Sequence, residues 1–103
     1  MSDPTKIRLQ VQDDRVIVRL LMAHDMENGL RKDGAGKLVP AWFIQEVSVL
    51  WNGKPALTAQ FGPSVSKNPF LQFTLRGPRS GDRIGVNWVD NRGERRSDEA
   101  LLP

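Results

Sequence analysis

Strict alternation of apolar and polar residues constrains this chain more than any other feature. Over Lys6–Gln12, Ile7, Leu9 and Val11 fall on one face and Arg8, Gln10 and Gln12 on the other, a period of two that a half-buried strand satisfies and a helix does not. Asp13 and Asp14 supply a turn, and residues 15–22 continue as a β-branched-rich strand with Arg19 as its one interior charge. Residues 42–51 repeat the pattern, with Val47, Val49 and Trp51 set against Glu46, Ser48 and Leu50. Asn52-Gly53 follows, the strongest short hairpin signal. Residues 54–61 should return antiparallel with Leu57, Ala59 and Phe61 inward, and Pro55, which donates no ladder hydrogen bond, marks that strand as an edge. Leu71, Phe73 and Leu75 form one further inward stripe, and Ile84, Val86 and Trp88 another. A reverse turn at 90–93 leads into a short last strand.

Seven strand candidates result, and no stretch carries apolar residues at helical spacing. The expected fold class is all-β, an immunoglobulin-like antiparallel β-sandwich, although the Cys and Trp hallmark of antibody domains is missing and a small barrel is the alternative. With 103 residues the chain has room for one core, so residues 1–103 are read as one domain. Hydrophobic residues make up 39% and charged residues 26%, a globular balance rather than a disordered one.

The chain has no cysteine, which removes disulfides, thiolate nucleophiles and sulfur-ligated metals. Residues 1–10 lack the apolar stretch of a signal peptide, and nowhere do eighteen apolar residues run together, so the residues by themselves suggest a cytoplasmic protein with no membrane partner. The formal charge of +3 arises from scattered Lys and Arg. Nucleic-acid binding would call for a continuous basic stripe interleaved with stacking aromatics, and the aromatics here occupy positions that a core would claim.

Residues 23–40 form a long polar loop with room for a short hairpin. Asn28-Gly29, Asp33-Gly34 and Gly36 can supply positive φ there, and long loops inside small domains are often functional. His24, the sole histidine, lies beside Asp25 and Glu27. One histidine with flexible carboxylates is a poor zinc site, and an orienting or packing role is the better reading. Ser48, Ser64, Ser66 and Ser80 lie in no nucleophile elbow, and phosphate-binding glycine loops are absent. Trp51 and Trp88 fall on inward stripes, whereas Trp42, after Pro40, is the better surface candidate. Met22 and Met26 flank His24 as adaptable contacts or core filling. Arg31-Lys32 and the arginines at 92, 95 and 96 read most simply as solvated charge.

Four separated blocks carry a resemblance: residues 24–33, His-Asp-Met-Glu-Asn-Gly-Leu-Arg-Lys-Asp; residues 40–44, Pro-Ala-Trp-Phe-Ile; residues 66–70, Ser-Lys-Asn-Pro-Phe; and Gly81-Asp82 through Trp88, with Asp90-Asn91 and Asp98-Glu99. Together they resemble the SoxZ family, a subunit of the bacterial sulfur-oxidation carrier complex SoxYZ, over nearly the whole chain. Asp25 departs from the pattern, which tends to have proline there, and leaves the loop entrance less rigid.

The resemblance implies a non-catalytic subunit without cofactor or metal, in a heterodimer with SoxY. That partner bears the carrier cysteine on a glycine-rich C-terminal arm during thiosulfate oxidation, and other Sox enzymes visit transiently through it. The resemblance also implies a periplasmic location reached with the signal-bearing partner, and it leaves self-association of the isolated chain open. A cysteine-free companion fits, since a thiol here would compete for the sulfur cargo. Partner binding is expected around residues 26–32, at Met26, Leu30, Arg31 and Lys32, and at Asn68, Pro69 and Phe70. The alternatives from other classes are a small metal-dependent enzyme centred on His24 and a basic nucleic-acid-binding β-domain.

Overall fold

A computed structural model describes residues 3–103 and holds seven strands and no helix among them. They are β1 (Lys6–Gln12), β2 (Arg15–Leu21), β3 (Ile44–Trp51), β4 (Lys54–Gln60), β5 (Phe70–Arg76), β6 (Arg83–Asp90) and β7 (Arg95–Leu101). One sheet has the order β1-β2-β5 and the other β4-β3-β6-β7, with every pairing antiparallel. This is the two-layer sandwich that the alternating pattern predicts.

The inward stripes meet in one cluster built from Val16, Val18 and Leu20 of β2, Val47 and Val49 of β3, and Ile84, Val86 and Trp88 of β6. Each fully buried aliphatic side chain there contributes on the order of 1.5–3 kcal/mol relative to exposure. Met22, Met26, Ile44 and Leu102 close the cluster at its ends. The central strands β2, β3 and β6 are the most buried, and β1, β4 and β5 pack half-buried apolar residues against the cluster. Val11, expected inside with Ile7 and Leu9, is instead exposed, because β1 has run to the turn end of its sheet by that point.

Asn52 and Gly53 take φ of 50° and 81°, the pair of positive values that a two-residue type I′ turn requires, and join β3 to β4. Pro55 lies in β4, an edge of its sheet, as expected. The sequence pattern placed Trp42 at the start of a strand, but β3 begins at Ile44 with a register irregularity between Ile44 and Glu46. Trp42 pairs with Glu27 instead, through an isolated antiparallel bridge.

Candidate functional site

Residues 23–42 leave the end of β2 and return to β3 as an irregular two-stranded arm. Its root is a clasp between two segments far apart in sequence. The His24 backbone N–H donates to Asn68 Oδ1 at 3.1 Å, the Asn68 N–H donates to the His24 carbonyl at 2.9 Å, and the Met22 N–H donates to the Pro69 carbonyl at 3.0 Å. Asn68 holds φ 53°, which an asparagine tolerates better than most residues. Beyond the clasp Glu27 and Trp42 exchange both backbone hydrogen bonds, at 2.6 and 2.9 Å. Val39 N–H reaches the Arg31 carbonyl at 2.7 Å, and Asp33 N–H reaches the Lys37 carbonyl at 2.8 Å. The tip is tied by Asp33 Oδ1, which accepts from the backbone of Ala35 and Lys37 at 2.9 and 3.0 Å. Gly29, at φ 82°, faces Ala41 so closely that an added Cβ would lie 3.3 Å from the Ala41 Cβ.

Beneath the arm lies a buried polar cluster. Asp90, at the end of β6, receives four hydrogen bonds. Oδ2 accepts from His24 Nε2 at 3.1 Å and from Trp42 Nε1 at 2.8 Å, while Oδ1 accepts from the backbone N–H groups of Arg92 and Glu94 at 3.0 and 2.9 Å. Burial pushes the Asp90 carboxyl up, but the donations from His24, Trp42, Glu94 and Arg92 outweigh it and hold it below its ordinary value. The other ring nitrogen, His24 Nδ1, accepts the Met26 backbone N–H at 3.0 Å. That pattern fixes a neutral imidazole with its proton on Nε2. It also bends the chain so that Met26 takes φ 53° and turns its thioether inward, with Sδ 3.3 Å from the Ile44 nitrogen. The His24 ring lies 4.9 Å from Trp42 and 5.3 Å, edge-on, from Trp88, and the Arg92 guanidinium covers the outer Trp42 face at 4.3 Å.

This arrangement positions chain segments. Both His24 nitrogens are engaged and its side chain is 2% exposed, so no lone pair faces a substrate or a metal. Among the described residues no three His, Cys, Asp or Glu side chains gather as metal ligands. The cleft of about 420 Å³ beside His24 is lined by three carboxylates, Asp3, Asp25 and Glu94, with Lys67 as its one cation. Trp42, read from sequence as a surface platform, is a half-buried pin; Pro40 obscured this, because the partner that claims Trp42 lies 48 residues away.

The residues singled out for partner binding divide by depth. Met26 and Pro69 are buried. Arg31 is exposed but grips Glu27 with Nε and a terminal nitrogen at 2.7–3.1 Å, so its charge is met locally: that hydrogen bond lowers the Glu27 carboxyl and raises the Arg31 guanidinium. Lys32 and Asn68 are exposed, and Leu30 and Phe70 stand 78% and 59% open. The two segments adjoin at the arm's root, where Lys67 and Asp25 approach to 3.8 Å and a shallow groove is lined by Met26, Arg31 and Lys67 together. Sequence reasoning missed Leu38, 60% exposed on the returning limb of the arm, and Asp90, whose role only the fold reveals.

The family of the sulphur oxidation protein SoxZ matches residues 6–101, a span that takes in every strand, the arm and the Asp90 cluster. The chain belongs to the SoxZ family. Three of the sequence blocks that suggested SoxZ, and Asp90-Asn91 of the fourth, have a place at the arm: residues 24–33 and 40–42 lie on its two limbs, residues 66–70 hold its clasp, and Asp90-Asn91 is its anchor. No curated protein matches the chain. Among solved structures, the superoxide reductase (neelaredoxin) from Ignicoccus hospitalis superposes with a TM-score of 0.68 at 15% identity, over 98% of this chain and 80% of that one. A second superoxide reductase, in the oxidized state, gives a TM-score of 0.65 at 14% identity, over 96% and 86%. Identities this low show that the SoxZ chain shares their sandwich fold, and nothing of their chemistry follows from it.

Proposed function

We propose that this chain is the thiol-free, non-catalytic half of a SoxYZ sulfur-carrier heterodimer. It binds the cysteine-bearing SoxY-like subunit and supports that subunit's arm while other Sox enzymes dock with it. The observation that carries the reading is the SoxZ family match over residues 6–101 in a chain that has no cysteine and whose one histidine is locked at both nitrogens. A carrier partner without its own thiol cannot take a sulfur intermediate by thiol exchange. The workplace that fits this role is the periplasm, reached in company with a signal-bearing partner.

The surface we assign to the SoxY-like subunit is the arm and its clasp. Leu30, Arg31, Lys32, Asn68 and Phe70 offer contact, while Met26 and Pro69 hold the backbone beneath them. Exposed apolar side chains on a preformed projecting ribbon bind without a large ordering cost. A stable complex would bury on the order of 800 Å² on each side.

Co-expression with an exported SoxY-like protein that ends in a glycine-flanked cysteine tests this. A one-to-one complex should form, and sulfur mass added by thiosulfate and the pathway enzymes should appear on the partner's cysteine. Turnover of a sulfur compound by the isolated chain would overturn the reading, and so would failure to associate with that partner.

A further inference from the structure

The outward face of the three-stranded sheet is unlike the rest of the surface. Alternation and register place twelve side chains there, from Lys6 beside Leu21 and Phe70 at one end to Gln12 beside Arg15 and Arg76 at the other. Five are cations, namely Lys6, Arg8, Arg15, Arg19 and Arg76, and none is a carboxylate. All 12 Asp and Glu of the chain lie elsewhere and outnumber the remaining cations among its 15 Lys and Arg, so the formal +3 resides on this one face. In the sequence the same charges look scattered, because strand pairing sets Arg15 opposite Arg76 and so joins segments far apart in the chain.

The local geometry works against the free fold. Arg8 lies opposite Arg19, and Arg15 opposite Arg76, as direct cross-strand partners. Like charges in that relation destabilise a sheet. Arg19 is held by neutral amides, Gln72 at 3.1 Å and Gln10 at 2.8 Å, and Asp14 reaches Arg15 at 3.8 Å with both side chains exposed. An anionic surface laid over these rows would relieve the repulsion and pair with the guanidinium groups gathered there.

We infer that this basic sheet face, Lys6, Arg8, Arg15, Arg19 and Arg76 with Leu21 and Phe70 at its apolar end, is a docking surface for an acidic face of a transient protein partner. Four of the five cations are arginine, the cation enriched at protein interfaces where lysine is depleted. Gln10, Gln12, Gln72 and Thr74 between them offer amide and hydroxyl groups for direct hydrogen bonds. The face has one aromatic ring, at its end, whereas single-stranded nucleic acid needs a succession of stacking rings in a groove. Strands of this length at about 3.3 Å per residue and about 4.8 Å apart give a patch on the order of 300 Å² in projection. That is below what a permanent complex buries and suited to a weak, electrostatically steered encounter. Apart from Phe70 at its margin, this face is distinct from the arm and clasp assigned to the SoxY-like subunit.

Titration of the full chain with a poly-glutamate peptide, followed residue by residue by amide NMR shifts, tests the inference. Shifts should concentrate on β1, β2 and β5, and the double variant Arg8→Gln/Arg76→Gln should bind about tenfold more weakly, two surface ion pairs being lost. Its Tm should stay level or rise. The control Lys37→Gln/Arg95→Gln, with the same charge removed elsewhere, should bind within about twofold of the unchanged chain. Shifts centred elsewhere, or equal loss in the control, would overturn it. Tighter binding of this face to a duplex oligonucleotide or to phosphatidylglycerol vesicles than to poly-glutamate would overturn the choice of a protein partner.

Discussion

His24 and Asp90 stand 66 residues apart in sequence and 3.1 Å apart in the fold, and through that contact the arm is fastened to the end of β6. Asp90 is the hub, because two of its four donors come from the arm's limbs and two from the turn that begins β7. Asp90→Ala leaves four donors without their acceptor. It should cost about 3–5 kcal/mol in urea unfolding, the range for breaking a buried charged network. A loss below about 0.5 kcal/mol, the level of an ordinary surface change, would show that the cluster does not hold the arm.

Acid should reach the same group. Asp90 and Asp98 are both held below their ordinary value of 3.8; burial opposes this in each, and it is outweighed by the donors on Asp90 and by Arg96 and the Thr5 backbone N–H on Asp98. A carboxyl with a depressed folded value gives stability that is complete above the unfolded value and is lost as pH falls through the folded one. Stability should therefore hold from neutral pH down to about 4 and fall below it. Asp90→Asn should be less stable at pH 7 and have a shallower acid limb. Parallel limbs for the two proteins, measured by urea unfolding at several pH values, would count against the assignment.

Gly29 offers a test of the arm itself. Gly29 and Gly36 have nearly equal φ, 82° and 81°, but only at Gly29 would a Cβ meet a neighbour, Ala41. Alanine at either position should cost about 1–2 kcal/mol from the left-handed backbone. Gly29→Ala should cost more than Gly36→Ala by the added crowding between the limbs. Equal losses in thermal unfolding would mean that the limbs separate freely to make room.

The strands were legible because each residue's side of a sheet depends only on its parity, which the alternation from Ile7 to Leu9 or from Val47 to Val49 records directly. Asn52-Gly53 was legible for a similar reason, since its turn is set by two adjacent residues. The arm was visible as an interval, but its pairing was not. Glu27 meets Trp42 and Val39 meets Arg31 through backbone groups that every sequence possesses. His24, read as an orienting or packing residue, is engaged at both ring nitrogens, whereas Asp90 and the true place of Trp42 depend on contacts between segments 66 and 48 residues apart that no local pattern encodes. The basic face was hidden for the same reason, being spread over β1, β2 and β5 until pairing assembles it.

Leu30 and Leu38 separate the arm's role in association from its role in the fold. Both are more than half exposed, so replacing either removes little buried surface and should change stability by no more than about 0.5 kcal/mol. If the arm receives the SoxY-like subunit, each leucine loses apolar contact in the complex that it lacks in the free chain. A central interface residue typically costs more than about 1 kcal/mol when truncated, and a charge placed there costs more still. Leu30→Asp should therefore weaken the heterodimer by about tenfold or more in calorimetric titration while the isolated chain unfolds as before. Leu101, 64% exposed on the edge strand β7, provides the control, and Leu101→Asp should leave association unchanged. Should the two variants weaken the complex equally, the contact would have to be sought away from the arm.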